Sequence, residues 1–223
     1  MTDIFLISVP KSGTNMIDLM IAVTRDGGAH VVNAKALVKN VIHPDDDILR
    51  DVGSPSNSFV RGHLFYHEDY EKVLKRYRHC LFIRRDLRDC LVSSMFWDSR
   101  TPSCLSVRDV VLSDEQIDIK LMEQIEKWKD VFPRYVGWLK CDWIHKFKYE
   151  DFVLHTERET KRLANILGAK WNVMLRQFRS TKSHTFRAGR INDWTKYFKP
   201  HHLKRFWEYF EDTMYAFGYE RND

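Results

Sequence analysis

Six consecutive residues, Pro10-Lys11-Ser12-Gly13-Thr14-Asn15, bring a lysine, a glycine and two hydroxyls directly behind the apolar run Ile4 to Val9. A helical pattern follows at once, with Met16, Leu19, Met20 and Val23 on one face. Strand, glycine loop and helix together aim backbone N–H groups at one anion, and the lysine adds a full positive charge. An ATP-binding loop of the Walker type places a glycine immediately before its lysine. Here Lys11 precedes the only glycine of the loop, so an ATP kinase fits poorly. The same residues also suit an ordinary strand-to-helix turn in which Ser12 caps the helix and Lys11 is solvated.

Three further blocks carry suggestive chemistry. In Arg84-Arg85-Asp86-Leu87-Arg88-Asp89, Arg85 ends a strand pattern, and Ser93 follows about two turns into the next helix. A phosphate beside that helix would meet both, with Arg85 donating a two-pronged charged hydrogen bond. The alternative is a solvated basic turn with Arg88 paired to Asp86 or Asp89. Phe186 to Trp194 places Arg187 and Arg190 around Gly189 without helical periodicity, which suits a loop folding over a phosphate or a basic loop anchored by Trp194. Arg61-Gly62-His63 follows a strand pattern directly, and a histidine there is either structural or a general base with an ordinary pKa near 6.5.

Taken in order, these blocks resemble the sulfotransferases that use 3′-phosphoadenosine-5′-phosphosulfate (PAPS). The opening loop is similar to the family's P-K-S-G-T-T, Arg85 and Ser93 stand at its R-x7-S spacing, and Tyr149-Glu150-Asp151 resembles its Y-E-D. Arg187-Ala188-Gly189 with Asp193-Trp194 resembles its R-K-G-x-x-G-D-W. The resemblance covers nearly the whole chain. It implies that Lys11 stabilises the departing phosphate while Ser12, Gly13, Thr14 and Asn15 hold the 5′-phosphate. It also implies that Arg85, Ser93, Arg187 and Gly189, with Ala188 between them, bind the 3′-phosphate, and that Tyr149 contacts adenine. His63 matches the catalytic base of K-x-H, with Arg61 in the lysine position. Transfer to a hydroxyl, less readily an amine, of a small molecule or glycan is the implied reaction, with PAP as product and no metal.

The chain departs from the family pattern at several of these positions. Arg61 stands for lysine, Asn15 for the second threonine, Met16 for a tryptophan against adenine, and Ala188 for lysine, and Thr185 sits where an aromatic is common. Two other readings stay open from the residues: a P-loop-type phosphotransferase, and a non-catalytic nucleotide-binding or basic interaction protein. Phe65, Tyr66, Phe96 and Trp97 are candidates for the acceptor side or for the core.

The elements that must position these residues alternate. Strand signals lie at 3–9, 58–60, 80–83 and 144–149, with helical patterns between them. That order predicts a three-layer αβα architecture with a central, mainly parallel sheet, the P-loop NTPase-like sulfotransferase fold, as one domain over residues 1–223. Asp86 should cap a helix burying Leu87, Cys90, Leu91 and Met95, and 70–77 should be an amphipathic helix. Ser113 with Gln116, and Thr156 with Glu159, read as capping boxes, and Gly168 as a helix stop. A final helix should begin near Pro200. His43 to Asn57 and Ser99 to Leu112 read as loops over the site.

Composition bounds the rest. The 223 residues are 43% hydrophobic and 13% aromatic with seven tryptophans, a globular balance, and the net charge of +5 favours an anionic partner without requiring a nucleic acid. Cys80, Cys90, Cys104 and Cys141 show no metal-ligand or paired spacing and read as reduced thiols of a cytoplasmic protein. Asp3 precedes the first apolar run, which argues against a signal peptide, and no stretch is apolar over the ~18 residues that span a membrane.

Overall fold

The computed structural model describes residues 4–21, 59–101, 106–180 and 189–221. Four parallel strands form one sheet in the order β2-β1-β3-β4: β1 (Ile4–Ser8), β2 (Phe59–Gly62), β3 (His79–Arg84) and β4 (His145–Lys148). β1 is buried along its whole length and pairs on both sides, Ile7 with Gly62 and Ser8 with Ile83. An uninterrupted apolar run is what a strand covered on both faces needs.

Side-chain alternation along β1 divides the interior in two. Phe5 and Ile7 join Val60, Cys80 and Phe82 on one face of the sheet, and Ile4 and Leu6 join Phe59, Leu81 and Ile83 on the other. The first face is covered by α2 (Glu68–Leu74), α3 (Leu87–Asp98), α4 (Asp114–Trp128), a 3-10 segment at Phe132–Lys140 and α8 (Pro200–Phe217). The second is covered by α1 (Thr14–Ile21), α5 (Tyr149–Leu154), α6 (Thr156–Leu167) and α7 (Trp171–Ser180). The expected parallel sheet with helices on both sides is therefore what the chain forms. Among the described residues no helix is long and apolar enough to cross a membrane.

Most local signals act as their chemistry requires. Asp86 caps α3 by accepting from the Arg88 N–H at 2.8 Å, and Ser113 and Gln116 form both halves of a capping box on α4. Gly168 (φ 64°) ends α6, and α8 starts at Pro200 and buries Phe206, Trp207, Phe210, Met214 and Phe217. The capping box expected at Thr156 does not form. α5 ends two residues earlier, at Leu154, and leaves the Phe152 carbonyl within reach, so the Thr156 hydroxyl donates there at 2.7 Å. Glu159 instead accepts from Arg158 and Arg162. The helix expected over 70–77 runs from Glu68 to Leu74, with Tyr77 still buried beyond it. The expected loop at 43–57 lies outside the described residues, as do 102–105 of the second loop, whose remainder includes a 3-10 turn at Val107–Asp109. Cys80, Cys90 and Cys141 are buried free thiols, and Cys104 lies outside the described residues.

All four strands run the same way, so Lys11, His63, Arg85 and Tyr149 follow strand ends on one edge of the sheet. That is where parallel sheets place ligands. α8 seals the core beneath: Phe206 is fully buried against Phe198, Trp207 and Phe210. Phe206→Ala is expected to cost about 3–5 kcal/mol in urea unfolding, whereas Leu154→Ala, at an exposed site, should change stability by less than about 0.5 kcal/mol.

Candidate active site

The loop after β1 is held in an unusual backbone path. Lys11 has φ 66° and Gly13 φ 102°, both in the left-handed region. Gly13 is required twice over, because a Cβ there would also lie 2.6 Å from the Tyr149 ring. The first turn of α1 begins immediately after, and its Met16 and Ile17 N–H groups donate to the Gly13 carbonyl. The N–H groups of Gly13 and Thr14 take no hydrogen bond within the described residues. Two adjacent free donors at a helix N-terminus, beside a lysine, form a cradle for an anionic oxygen.

Ser12 does not belong to that donor set. It is fully buried, its hydroxyl donating toward the carbonyls of Val9 (2.6 Å) and Ile83 (3.0 Å), and its N–H is spent on Val9. The Ser12 hydroxyl, expected at the 5′-phosphate, here fastens the loop to β3. The Thr14 hydroxyl is also engaged, donating to Ser8 Oγ at 2.8 Å.

Ser8 in turn orients the histidine. His63 Nδ1 lies 2.9 Å from the Ser8 carbonyl and 3.0 Å from Ser8 Oγ. A carbonyl oxygen only accepts, so Nδ1 carries the proton and Nε2 keeps its lone pair. No described residue hydrogen-bonds Nε2. Burial lowers the imidazole pKa below 6.5, and the nearby Lys11 and Arg61 charges lower it further, against the Ser8 carbonyl, which raises it. His63 is therefore a neutral imidazole with its basic nitrogen unspent. The segment carrying it is pinned from behind: the Tyr135 hydroxyl donates to the His63 carbonyl at 2.8 Å and the Trp138 indole to the Leu64 carbonyl at 2.9 Å.

Arg61 turns toward α1. One of its guanidinium nitrogens lies 2.6 Å from Asp18 and 3.0 Å from Asn15 Oδ1. Two departures from the family pattern, Arg61 and Asn15, thus meet in one hydrogen bond.

Arg85 is buried at the end of β3 and joins separate loops. Its guanidinium donates to the Arg190 carbonyl at 2.9 Å, to the Lys11 carbonyl at 3.4 Å, and pairs with Asp89 at 3.3 Å, while its plane lies over the Tyr149 ring. Its Nε, also buried, has no hydrogen-bond partner among the described residues. Asp89 accepts the backbone N–H groups of Asn192 (3.1 Å) and Trp194 (3.0 Å). Burial raises its pKa to about 6 against the opposing pull of Arg85. The sequence suggests Asp89 as a partner for Arg88, but Arg88 pairs with Asp86 and stacks on Trp194.

Ser93 lies on α3 one turn beyond Asp89, half-buried, its hydroxyl unbonded among the described residues. Tyr149 is buried between Gly13 and Arg85. Gly189 (φ 61°) is described, whereas Arg187 and Ala188 lie outside the described residues. Glu150 ties the strand end together, accepting from the Asp86 N–H and the Tyr219 hydroxyl. Of the four aromatic candidates, Phe65, Tyr66 and Phe96 pack against Tyr70, Trp138 and Tyr197, and Trp97 meets a site residue, Lys11.

Lys11 lies with its ammonium nitrogen 3.6 Å from the Trp97 ring centre. Burial brings its pKa down to about 7; Asp98 and Cys90 act to raise it and Arg100 and Lys127 to lower it.

Among the described residues one cluster brings metal-binding residue types together: Asp118 of α4 with His201 and His202 at the start of α8. Its chemistry is already spent. His202 Nδ1 accepts the Lys199 N–H, so Nε2 bears the proton it directs to the Asp118 carbonyl at 3.0 Å, and the Lys199 ammonium sits 3.0 Å from the Asp118 carboxylate. It reads as a latch between α4 and α8.

No curated protein sequence matches the chain. Among solved structures it is similar to mouse sulfotransferase SULT7A1 complexed with PAP, at 20% identity and TM-score 0.64, covering 96% of this chain and 84% of that one. It is also similar to retinol dehydratase in complex with androsterone and the inactive cofactor PAP, at 14% identity and TM-score 0.62, covering 95% and 80%. At such identities these likenesses establish the fold. The sulfotransferase domain model matches residues 1–218, so the chain belongs to the sulfotransferase family and is an enzyme of sulfuryl transfer.

Proposed function

We propose that residues 1–223 form one cytoplasmic catalytic domain that moves the sulfuryl group of PAPS to a hydroxyl, and less readily an amine, of a small molecule or glycan. The observation that carries this reading is the meeting of three groups at one sheet edge: the free Gly13 and Thr14 N–H groups, Lys11, and a neutral His63 with Nε2 unspent. When bound, PAPS supplies an activated sulfuryl group on a phosphate leaving group. The Gly13 and Thr14 N–H groups, with the positive end of α1, hold the 5′-phosphate, and Asn15 borders them. The Lys11 ammonium neutralises charge growing on the departing phosphate oxygen. His63 Nε2 takes the proton of the acceptor hydroxyl, and Ser8 keeps the resulting imidazolium in register. Arg61 acts by bracing the first turn of α1 through Asp18 and Asn15, its charge lying near His63.

At the other end of the nucleotide, the partnerless Arg85 Nε, the Ser93 hydroxyl and the Gly189 backbone would hold the 3′-phosphate, joined by Arg187 and Ala188 of the same loop. Tyr149 would border the adenine. The cationic and backbone donors named here neutralise the leaving group without calling on a metal. An ATP phosphotransferase reading lacks the Walker glycine before its lysine.

Calorimetry should show PAP binding at least tenfold more tightly than ADP, since a charge-assisted hydrogen bond contributes roughly 1.5–3 kcal/mol; equal affinities would overturn the donor assignment. The same titration should depend on pH through Lys11. Its free-state pKa of about 7 must rise when a phosphate sits beside it, so binding is strongest below pH 7 and weakens as pH rises above it. The limiting slope is about tenfold per pH unit, and Lys11→Met should abolish it. His63→Ala should slow transfer roughly 10²–10⁴-fold while leaving PAP affinity nearly unchanged. Transfer at the wild-type rate in that variant would remove His63 from the role of base.

A further inference from the structure

One face of α3 runs along the site. Asp89, Ser93 and Trp97 are spaced four residues apart and so line up along the helix. Asp89 ends this row at the 192–194 segment, and Trp97 ends it at Lys11. The Trp97 indole carries two cations, Lys11 Nζ at 3.6 Å and Arg100 Cζ at 3.3 Å from the ring centre. Two groups that close to one ring would overlap on a single face, so they occupy opposite faces. Arg100 is fixed there, because its Nε donates to the Trp97 carbonyl at 3.1 Å in the last turn of α3. Lys11 has no such anchor: no described carboxylate lies within ion-pair distance of its amine.

A lysine beside an anion cradle would ordinarily reach toward the cradle. Here its backbone is held by Arg85 at the carbonyl, its φ is left-handed, and its amine rests on an aromatic face. A cation over a partly desolvated indole is held by the ring quadrupole, but a phosphate oxygen offers a full charge and a hydrogen bond. An arriving anion therefore wins the amine from the ring.

We propose that Trp97 is a positioning residue for Lys11, an aromatic seat that holds the amine off the cradle in the nucleotide-free enzyme and releases it when the phosphosulfate enters. This rests on the reading of the cradle as a PAPS site. Leaving the seat subtracts from donor affinity, which gives the proposal a distinctive sign. Removing the seat should tighten nucleotide binding, whereas removing a merely structural tryptophan would weaken it or leave it unchanged.

The test is PAP calorimetry on the full chain with Trp97→Leu and Trp97→Phe, each also combined with Lys11→Met. Trp97→Leu is expected to bind PAP about 3- to 10-fold more tightly than wild type, the span of a partly desolvated cation–π contact. Trp97→Phe, with a weaker ring quadrupole and a smaller change in packing, should tighten binding by a lesser factor and serves alone if the leucine variant does not fold. In the Lys11→Met background neither substitution should matter. Wild-type or weaker affinity in folded Trp97 variants, or tightening that persists without Lys11, would overturn the seat. Absence of PAP binding in the wild-type protein is a separate failure: it would overturn the donor assignment, and the seat with it.

Discussion

A single buried ion pair holds the catalytic edge together. Arg85 and Asp89 meet at 3.3 Å with almost no solvent exposure, and each reaches beyond the other. Arg85 takes the carbonyls of Lys11 and Arg190, and Asp89 takes the N–H groups of Asn192 and Trp194. Three segments distant in sequence, the loop after β1, the turn into α3 and the chain at 189–194, are thereby fixed in one arrangement. Burying two charges costs about as much as their attraction returns, so the pair contributes little net stability against an apolar replacement. Its value is geometric. Removing one partner leaves the other charged and buried, which is the expensive outcome, and so the arrangement is strongly enforced.

The reactive groups are positioned from that frame by short-range bonds. The Lys11 carbonyl is held by Arg85, which leaves its side chain to choose between Trp97 and an anion. Ser8, the last residue of the central strand, sets the His63 tautomer through its carbonyl, and Thr14 adds a hydrogen bond to the Ser8 hydroxyl. Loop, base and lysine are thus coupled through β1. The pKa directions agree with the chemistry. Burial keeps His63 neutral and able to accept a proton, and brings Lys11 near neutrality until an anion arrives.

Much of this was legible because it rests on local pattern. The apolar run Ile4 to Val9 declares a doubly covered strand, and Asp86, Ser113 and Gly168 sit where helix ends need an acceptor or a left-handed residue. Lys11, His63, Arg85 and Tyr149 follow strand ends, and a parallel sheet brings such ends to one edge, whereas the 189–194 segment follows a helix. What remained hidden depends on register and on competition between partners. Ser8 meets His63 only because β1 pairs with β2 at Ile7–Gly62. Ser12 looks like a phosphate ligand until β3 supplies the Ile83 carbonyl beside it. Asp86 and Asp89 are both sequence neighbours of Arg88, and the packed Trp194 and the loop amides, with the four-residue spacing from Arg85, give Asp89 to Arg85. The one foreseeable signal was spacing: Asp89, Ser93 and Trp97 repeat every four residues after a strand that ends at the site.

The most direct test of this frame is amide hydrogen exchange across 189–197 in Asp89→Ala, read together with PAP affinity. With Asp89 gone, the Asn192 and Trp194 amides should exchange far faster than in wild type and PAP should bind at least tenfold more weakly, while far-UV circular dichroism stays that of the native fold. Unchanged exchange at those amides, or undiminished PAP affinity in a folded Asp89→Ala protein, would contradict the role given to the Arg85–Asp89 pair.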